Sequence, residues 1–300
     1  MRQTVRSIFW KIFSCGCFAL INVIVRYLTG GSPIPLTHSL PSFVIMFFQY
    51  LIGAITFLPW ILRTNTRIQF GRYPAMNFAR ILIATISIGI WYLSLSYMPI
   101  TEVVGLGFIS PIITIIAAII FLHEKLTLNK TFAIMLTLVG SFFMLRPDQS
   151  FGTIGQYGIY ALLPITAAAF FAFDKILVRK LLSRGESAEL LSIYLLIFIA
   201  PMCLLPALFS GWSWPHFIHL PWLLLLGVLS ALANFAFNKA YELAEVTFLM
   251  PFGLAKILIS GLLSYLAFAE FPRSMDIWLG IVIIGMSAIL LNRDRVKKIV

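Results

Sequence analysis

The sequence predicts an all-α membrane protein with ten transmembrane helices in two inverted five-helix repeats. Three observations support this fold class: the composition is apolar, ten apolar segments follow one another, and the two halves repeat one pattern. Hydrophobic residues make up 60% of the 300 residues, charged residues only 11%, and the mean hydropathy is +0.97. Soluble proteins carry about 25% charged residues, so this composition argues against an ordinary soluble domain.

Each of the ten segments is expected to cross the bilayer, because about 20 apolar residues are needed to span its hydrocarbon core. The segments lie near residues 7–28, 40–62, 79–98, 101–122, 131–146, 157–178, 188–209, 221–242, 246–268 and 276–292. The fifth and tenth segments are short, but Arg146-Pro147 and Asn292-Arg293 end them sharply. The first segment is predicted to be a retained helix, because no small-residue cleavage site of a secretory signal follows it.

The two halves of the chain repeat the same landmarks in the same order. The first copy carries Tyr97, Glu102, Glu124 and Gly140, and the second carries Tyr241, Glu245, Glu270 and Gly285. A repeated unit with an odd number of helices enters the membrane from opposite sides in its two copies, which is the inverted repeat of many secondary transporters. We therefore predict one five-helix repeat over 1–146, a linker over 147–156 and a second repeat over 157–300.

The distribution of basic residues predicts the orientation of the chain. With the N-terminus inside, 16 of the 22 Lys and Arg residues fall in regions on the inner side, two fall in outer loops, and four lie within spans or at their ends. Basic residues are enriched in cytoplasmic loops. We therefore expect both termini to lie in the cytoplasm and the protein to reside in the cytoplasmic (inner) membrane.

Lys256 is the most informative single residue, because it lies near the middle of the ninth segment. An ionisable residue at that depth costs about 2.5 to 3.5 kcal/mol on insertion scales and usually faces a cavity or a partner. The sequence leaves two roles open for Lys256. One is contact with an anionic group of a substrate, and the other is a structural pair with an acidic residue of a neighbouring helix.

Other polar and aromatic residues inside the predicted spans are further candidates for a substrate-binding cavity. They are Asn234 in the eighth segment, Trp91 and Tyr92 in the third, Ser110 in the fourth, Asn22 in the first and Gln49 in the second. The pair Ser110-Pro111 is predicted to interrupt the fourth helix near its centre, since proline frees backbone carbonyls. Asn residues in membrane helices also join helices through hydrogen bonds, so a packing role stays open for each.

A second group of residues is predicted to serve the gate or the scaffold. It comprises Pro111, Asn238, Glu242, Glu124 and Glu270. Asn234, Asn238, Tyr241 and Glu242 are spaced to lie on one helical face. The neighbours Asp174 and Lys175, close to the cytoplasmic end of the sixth helix, are expected either to neutralise one another or to snorkel, as structural residues near a gate.

Several function classes find little support in the sequence. No HExxH spacing, nucleophile motif or Walker loop occurs, so an enzyme is not indicated and no cofactor or metal is expected. Cys15, Cys17 and Cys203 form no CxxC pair. The net charge of +11 follows from the basic inner loops and not from a clustered face for nucleic acid.

The motifs resemble the drug/metabolite transporter superfamily, in its EamA-type ten-helix branch. The resemblance covers nearly the whole chain and is carried by Phe108-Ile109-Ser110-Pro111, by Phe121-Leu122-His123-Glu124-Lys125-Leu126-Thr127, by Gly140 and by the second copy that ends at Glu270. It implies that the third, fourth, eighth and ninth helices surround a central pathway. Tyr92, Ser110, Asn234 and Lys256 would then lie near that pathway.

Within the superfamily, the stretch from Met250-Pro251-Phe252 to Ala269-Glu270-Phe271-Pro272 is most similar to the S-adenosylmethionine uptake group. That group carries an Arg and a Glu in the ninth helix, where this chain has Gly253 and Lys256. A lysine in place of a carboxylate would repel a sulfonium cation. S-adenosylmethionine therefore stays one candidate beside an amino-acid-like or other carboxylate-bearing solute.

The resemblance implies a secondary active transporter that works by alternating access across the cytoplasmic membrane. The partners it implies are a small-molecule substrate, membrane lipid and either a coupling ion or a counter-substrate, with the protein a monomer or a homodimer. A multidrug or lipophilic-cation exporter of the same fold is an alternative. A passive channel is less favoured, because the polar positions are isolated and do not form a continuous path.

Overall fold

All regular structure in the described part of the chain is helical. The computed structural model describes residues 2–33, 38–64, 72–107, 109–122, 128–145, 157–253 and 255–268, and residues 279, 282, 283 and 286 beyond them. The helices are α1 (Arg2–Leu28), α2 (Ser42–Thr64), α3 (Pro74–Tyr97), α4 (Ile100–Leu106), α5 (Ile109–Leu122), α6 (Leu128–Leu145), α7 (Leu162–Ser183), α8 (Ala188–Phe209), α9 (Leu220–Leu243), α10 (Val246–Gly253) and α11 (Ala255–Phe268). Short 3-10 turns at Gly158–Ala161 and Phe217–His219 precede α7 and α9.

Some of these bounds agree closely with the spans predicted from the sequence, whereas the predicted segment 157–178 lies five residues before α7 at both ends. The predicted segment 188–209 coincides with α8, and 221–242 differs from α9 by one residue at each end. Seven helical stretches in the described residues are long and apolar enough to cross a membrane, and Ser42–Phe57 is a shorter apolar helix. The tenth predicted segment, 276–292, and the linker over 147–156 lie almost wholly outside the described residues, so the count of ten stays a prediction.

Local sequence signals explain where several helices begin and end. Ser187 caps α8, because its side chain accepts a hydrogen bond from the backbone N–H of Leu190 at 3.2 Å. Pro74 opens α3 at a position where no backbone donor is needed. Gly185 and Gly211 follow the ends of α7 and α8 with φ of 92° and 86°, a backbone conformation that favours glycine after a helix.

The predicted interruption of the fourth span occurs slightly earlier than expected. The chain turns at Gly107, where Ser110 N donates to the Gly107 carbonyl at 3.1 Å, and α5 resumes at Ile109. Pro111 therefore lies in the first turn of α5 and not at the break itself. A proline there is tolerated because the first turn of a helix has no intrahelical partner for its N–H.

The two halves of the chain pack directly against each other, and their contacts occur in matching pairs. Helix α1 packs against α9 and α11, and α7 packs in the corresponding way against α3 and α5. Helices α2 and α8 pack against each other. The inverted orientation of the halves in a membrane stays a prediction from the basic loops.

Two clusters of buried apolar residues stabilise this arrangement, and the outer surface is apolar as well. One cluster includes Leu28, Met98 and Leu223, and the other includes Leu181 and Val246. Large apolar side chains point outward along the helices, such as those of Val5, Phe9, Leu262 and Leu266. Such a surface suits contact with lipid, where an exposed apolar side chain carries no penalty.

Candidate functional site

An internal cavity of about 220 Å³ lies between the two apolar clusters. Side chains from both halves line it, including those of Tyr50, Trp91 and Tyr92 from the first half and Tyr241 and Met250 from the second. Because α1 and α3 cross α9 and α7 at this level, a solute in the cavity would touch both halves at once. The cavity is therefore the natural candidate for a binding site.

All seven residues predicted to bind substrate line this one cavity. They are Lys256, Asn234, Tyr92, Trp91, Ser110, Asn22 and Gln49. Pro111, predicted as a gate or structural residue, lines it as well. Trp91 and Tyr92 both line the cavity. Adjacent helical residues point about 100° apart, so the sequence predicted that at least one of the two would face it.

Two hydrogen bonds fix the aromatic residues of α3. The indole nitrogen of Trp91 donates to Oδ1 of Asn22 at 3.1 Å, and the Tyr92 hydroxyl donates to Oε1 of Gln49 at 2.8 Å. Each bond uses only the carbonyl oxygen of the carboxamide. The amide nitrogen of Asn22 has no hydrogen-bond partner, although this residue is only 2% exposed. A buried donor without a partner is costly, so Asn22 is suited to bind an acceptor in the cavity.

Asn234 lies on α9 across the cavity from these pairs. Its amide nitrogen donates to the backbone oxygen of Ser230 at 2.8 Å, and its side chain is hydrogen bonded to the Tyr50 hydroxyl. The three carboxamides of Asn22, Gln49 and Asn234 thus reach the cavity from three different helices. Such groups can both donate and accept, which suits the polar edge of a heterocycle.

Lys256 reaches the cavity from α11. Its Nζ lies 4.7 Å from the centre of the Trp91 ring and 5.7 Å from that of Phe18. These are cation–π distances. Within the described residues, no carboxylate lies within ion-pair distance of Lys256, so the acidic partner that the sequence left open is not found there.

Lys11 is a cavity residue that the sequence interpretation missed, because it was counted with the basic residues before the first span. Helix α1 begins at Arg2, which places Lys11 more than two turns inside the helix, where it is buried. Its Nζ donates to the Tyr241 hydroxyl at 3.0 Å and lies over the rings of Tyr241 and Phe237. Gly253 leaves space for the side chain of Lys11, since a Cβ at position 253 would lie 3.2 Å from Cε of Lys11.

Asp174 and Lys175 each make a direct polar contact with a different neighbouring helix. Asp174 forms an ion pair with Arg80 at 3.4 Å, and Lys175 donates to the Ser110 hydroxyl at 2.9 Å. Successive helical side chains point in different directions, so the two neighbours reach different helices. Both residues line the cavity.

Arg80 is likewise buried and does not lie in an inner loop as the charge count assumed. It is 1% exposed, and it donates to the backbone oxygen of Leu191 at 2.9 Å and to Oδ1 of Asn238 at 3.4 Å. Asn238 in turn donates to Ser192 at 2.8 Å, so this predicted gate or structural residue lies in a buried polar network. The network joins α3 of the first half to α7, α8 and α9 of the second.

The remaining predicted gate residues lie elsewhere. Glu242 pairs with Lys239 at 2.6 Å, and Lys239 also pairs with Glu189 at 3.1 Å. These contacts join α9 to α8, and none of the three residues lines the cavity. Glu124 and Glu270 lie outside the described residues. The predicted one-face stripe on α9 is therefore divided, with Asn234 and Tyr241 at the cavity and Asn238 in the network.

The cavity combines aromatic rings, carboxamides and lysine amines. Phe171 approaches Trp91 edge to face at 5.8 Å, and Phe18 and Phe237 add two further rings. Flat aromatic solutes bind well between such rings. Across the described residues, no group of His, Cys, Asp and Glu side chains is arranged to hold a metal ion.

Comparisons with known proteins agree with this arrangement. The EamA-like transporter family matches residues 5–146 and again residues 158–293. The riboflavin transporter of Vibrio cholerae is 31% identical over 297 residues, covering 96% of this chain and 93% of that protein. The riboflavin transporter of Brucella anthropi is 30% identical over 290 residues, covering 94% of this chain and 97% of its own length.

More distant proteins share the fold. The S-adenosylmethionine uptake transporter of Rickettsia bellii is 23% identical over 256 residues, covering 85% of this chain and 86% of that protein. A crystal structure of a protein with 17% sequence identity superposes with a TM-score of 0.73 over 96% of both chains, which shows a shared fold.

The family and the named relatives confirm the resemblance inferred from the sequence motifs. The chain is a transporter of a small metabolite and not an enzyme. Its apolar helices make it an integral membrane protein. The chain belongs to the EamA-like transporter family.

Proposed function

We propose that this protein is a secondary active transporter that carries a flat, aromatic, hydrogen-bonding metabolite of the riboflavin type across the cytoplasmic membrane. The observation that carries the proposal is the cavity between the halves, where aromatic rings surround three carboxamides. The two riboflavin transporters at 30% and 31% identity support this substrate class.

The lining residues fit the chemistry of a flavin. An isoalloxazine ring would pack against Trp91 and Phe171, and its edge of alternating carbonyl and N–H groups would bond to carboxamides such as Asn22, whose amide nitrogen has no partner. The ribityl hydroxyls would face Ser110 and Tyr50. Alternating access would follow from rocking one half against the other around the bound solute.

A carboxylate-bearing, amino-acid-like solute is the second candidate. Lys256 favours it, because this amine faces the cavity without a carboxylate partner in the described residues. S-adenosylmethionine and lipophilic cations fit less well: the carboxylate that the described residues bring to the cavity, Asp174, already pairs with Arg80. S-adenosylmethionine transporters are also less similar to this chain, at 23% identity for the protein of Rickettsia bellii.

Uptake by proteoliposomes that contain the purified protein tests the proposal. Entry of radiolabelled riboflavin can be followed by filtration and counting, with protein-free liposomes as the blank. We expect uptake to saturate and to accelerate when unlabelled riboflavin is trapped on the far side, because a carrier returns faster when loaded. Uptake of an amino acid in place of riboflavin would favour the second candidate, and uptake without acceleration would indicate a channel.

A pair of tryptophan variants connects the flux to the cavity. Trp91→Leu removes the central ring and should lower riboflavin affinity about tenfold, since an aromatic pair adds about 1 kcal/mol to the area it buries. Trp222→Leu is the matched control, because this partly exposed ring packs against Tyr27 away from the cavity. Equal effects of the two substitutions would argue against the cavity as the binding site.

A further inference from the structure

Three lysine amines face the cavity, and each of them contacts an uncharged hydroxyl group or aromatic ring. Nζ of Lys11 bonds to the Tyr241 hydroxyl at 3.0 Å, Nζ of Lys175 bonds to the Ser110 hydroxyl at 2.9 Å, and Nζ of Lys256 lies over the Trp91 ring at 4.7 Å. Hydroxyl groups and ring faces can orient an ammonium group, but they do not neutralise it. A cation withdrawn from water without a counter-charge is strongly disfavoured.

The three amines also belong to one electrostatic group. Lys175 experiences repulsion from both Lys11 and Lys256, and Lys256 experiences repulsion from Lys11. The carboxylate among the described lining residues belongs to Asp174, and Arg80 already offsets its charge at 3.4 Å. The described lining therefore carries three lysine amines and one carboxylate, and that carboxylate also pairs with Arg80.

Gly253 and Cys15 line the cavity beside Lys11. Because Gly253 has no side chain, it leaves space for the side chain of Lys11, whose Cε would lie 3.2 Å from a Cβ at position 253. The aromatic rings and the lysine amines adjoin in the same cavity, since Nζ of Lys256 lies 4.7 Å from the centre of the Trp91 ring. One solute in the cavity would therefore contact both kinds of group.

We propose that Lys11, Lys175 and Lys256 form a subsite that binds the phosphate group of a phosphorylated aromatic metabolite. The inference rests on the proposed function and adds to it, because it predicts a preference for a flavin that carries a phosphate monoester over neutral riboflavin. A dianionic phosphate balances more of the three charges than a single carboxylate does. Lysine amines bind phosphate well as point charges with several donors.

Equilibrium binding to the purified full-length protein tests the subsite. Flavin mononucleotide and riboflavin share ring and chain and differ in the phosphate, and quenching of flavin fluorescence reports both. We expect flavin mononucleotide to bind at least about tenfold more tightly, since hydrogen bonds to charged groups are among the stronger ones. An aromatic carboxylate is the third ligand. If it binds as tightly as flavin mononucleotide, the subsite does not prefer a phosphate group and the inference is overturned.

Substitutions assign the effect to the lysines. Lys11→Met should reduce the affinity for flavin mononucleotide about tenfold more than the affinity for riboflavin, and thermal unfolding of the variant is the folding control. Lys180→Met is the matched control for loss of charge, because Lys180 lies five residues beyond Lys175 on α7 and does not line the cavity. Equal losses in both variants, or equal binding of the two flavins by the wild type, would overturn the subsite while riboflavin transport stands.

A flavin-independent readout separates this inference from the proposed function. Cys15 lines the cavity, whereas Cys17 and Cys203 do not, so alkylation of a variant that retains Cys15 alone reports on the subsite. Inorganic phosphate should slow this alkylation in the wild-type lysine background and not in Lys11→Met. If neither flavin binds but phosphate protects Cys15, the subsite stands and the flavin proposal fails. If neither flavin binds and phosphate does not protect Cys15, both proposals fail.

Discussion

Asn22 combines two features that rarely occur together in a buried residue. Its Oδ1 accepts a hydrogen bond from Trp91 at 3.1 Å, while its amide nitrogen has no partner. We predict that Asn22→Leu lowers riboflavin affinity about tenfold but changes stability by less than about 1 kcal/mol, because removing the unpaired donor offsets the lost bond. Uptake kinetics and thermal unfolding of the same preparation measure the two effects.

Asn77 provides a matched control for this prediction. It is also buried in the first half, both of its amide atoms lack partners, and it does not line the cavity. Asn77→Leu should therefore leave transport unchanged and raise the melting temperature. A transport defect in Asn77→Leu as large as that in Asn22→Leu would contradict the assignment of Asn22 to the binding site.

Individual cavity residues were predictable to different degrees. Lys256 was found because a charge in the middle of an apolar segment is conspicuous, and it lines the cavity as expected. Lys11 was missed because it was counted with Arg2 and Arg6 as an inner-side residue, although the predicted span 7–28 contains it. The start of α1 at Arg2 places Lys11 more than two turns inside the helix.

At the scale of helices, α2 and α9 approach so closely that a side chain does not fit between them. A Cβ on Gly227 would lie 2.3 Å from Cγ2 of Ile52 and 3.1 Å from the backbone nitrogen of Gly53. We predict that Gly227→Ala destabilises the protein by about 1 to 3 kcal/mol through overpacking. Small residues are the usual means of such close approach in membranes.

Gly261 on α11 is the control for this substitution. A Cβ at Gly261 would meet no atom within 4 Å. Gly261→Ala should keep or raise the melting temperature in detergent, because alanine favours a helix over glycine. If both alanine variants unfold at the same temperature, the close contact of α2 and α9 does not limit stability.

The Arg80–Asp174 ion pair joins α3 and α7 and leads to a double-mutant test. Removing one partner leaves the other charge buried, which typically costs about 3 to 5 kcal/mol. We predict that Arg80→Leu and Asp174→Leu each lower the melting temperature strongly, and that the double variant is more stable than either. Additive losses in the double variant would show that the two residues act independently.

Helix positions were more predictable than helix partners. Segment length and hydropathy placed α8 and α9 within one residue, because the lipid-spanning requirement acts on the sequence directly. The partners of Asp174 could not be predicted in this way. Its neighbour Lys175 is close in sequence, but Arg80, 94 positions earlier, is close in space because α3 packs on α7.

For the whole molecule, the predicted orientation makes an accessibility test possible. Ser183 ends α7, Ser210 follows α8, and both are exposed. In a background without Cys15, Cys17 and Cys203, a membrane-impermeant maleimide should label Ser210→Cys in intact cells and Ser183→Cys only in inverted vesicles. Labelling of both positions from one side would show that α8 does not cross the membrane as predicted.

The repeat organisation was visible in the sequence because matching landmarks recur in both halves. The cavity between the halves was not visible in the sequence, since it depends on which faces of α1, α3, α7 and α9 meet. In addition to Lys256, six lining residues were identified from the sequence, because polar or amphipathic side chains are unusual deep within an apolar span. Aromatic lining residues such as Phe18 and Phe171 gave no such signal, because phenylalanine is ordinary in any membrane helix.

Arg80 links the opening of the molecule to the entry of water. Its ion-pair and side-chain hydrogen-bond partners in the described residues, Asp174, Asn238 and Leu191, belong to the half opposite its own. If the halves separate at this level, the guanidinium and the carboxylate lose their partners together, and charged groups cannot be left dry. The halves must then separate at Arg80 in the same step in which water enters around its charge. Osmotic stress that withdraws water should therefore slow the opening at Arg80 and leave opening at the opposite end of the molecule unaffected.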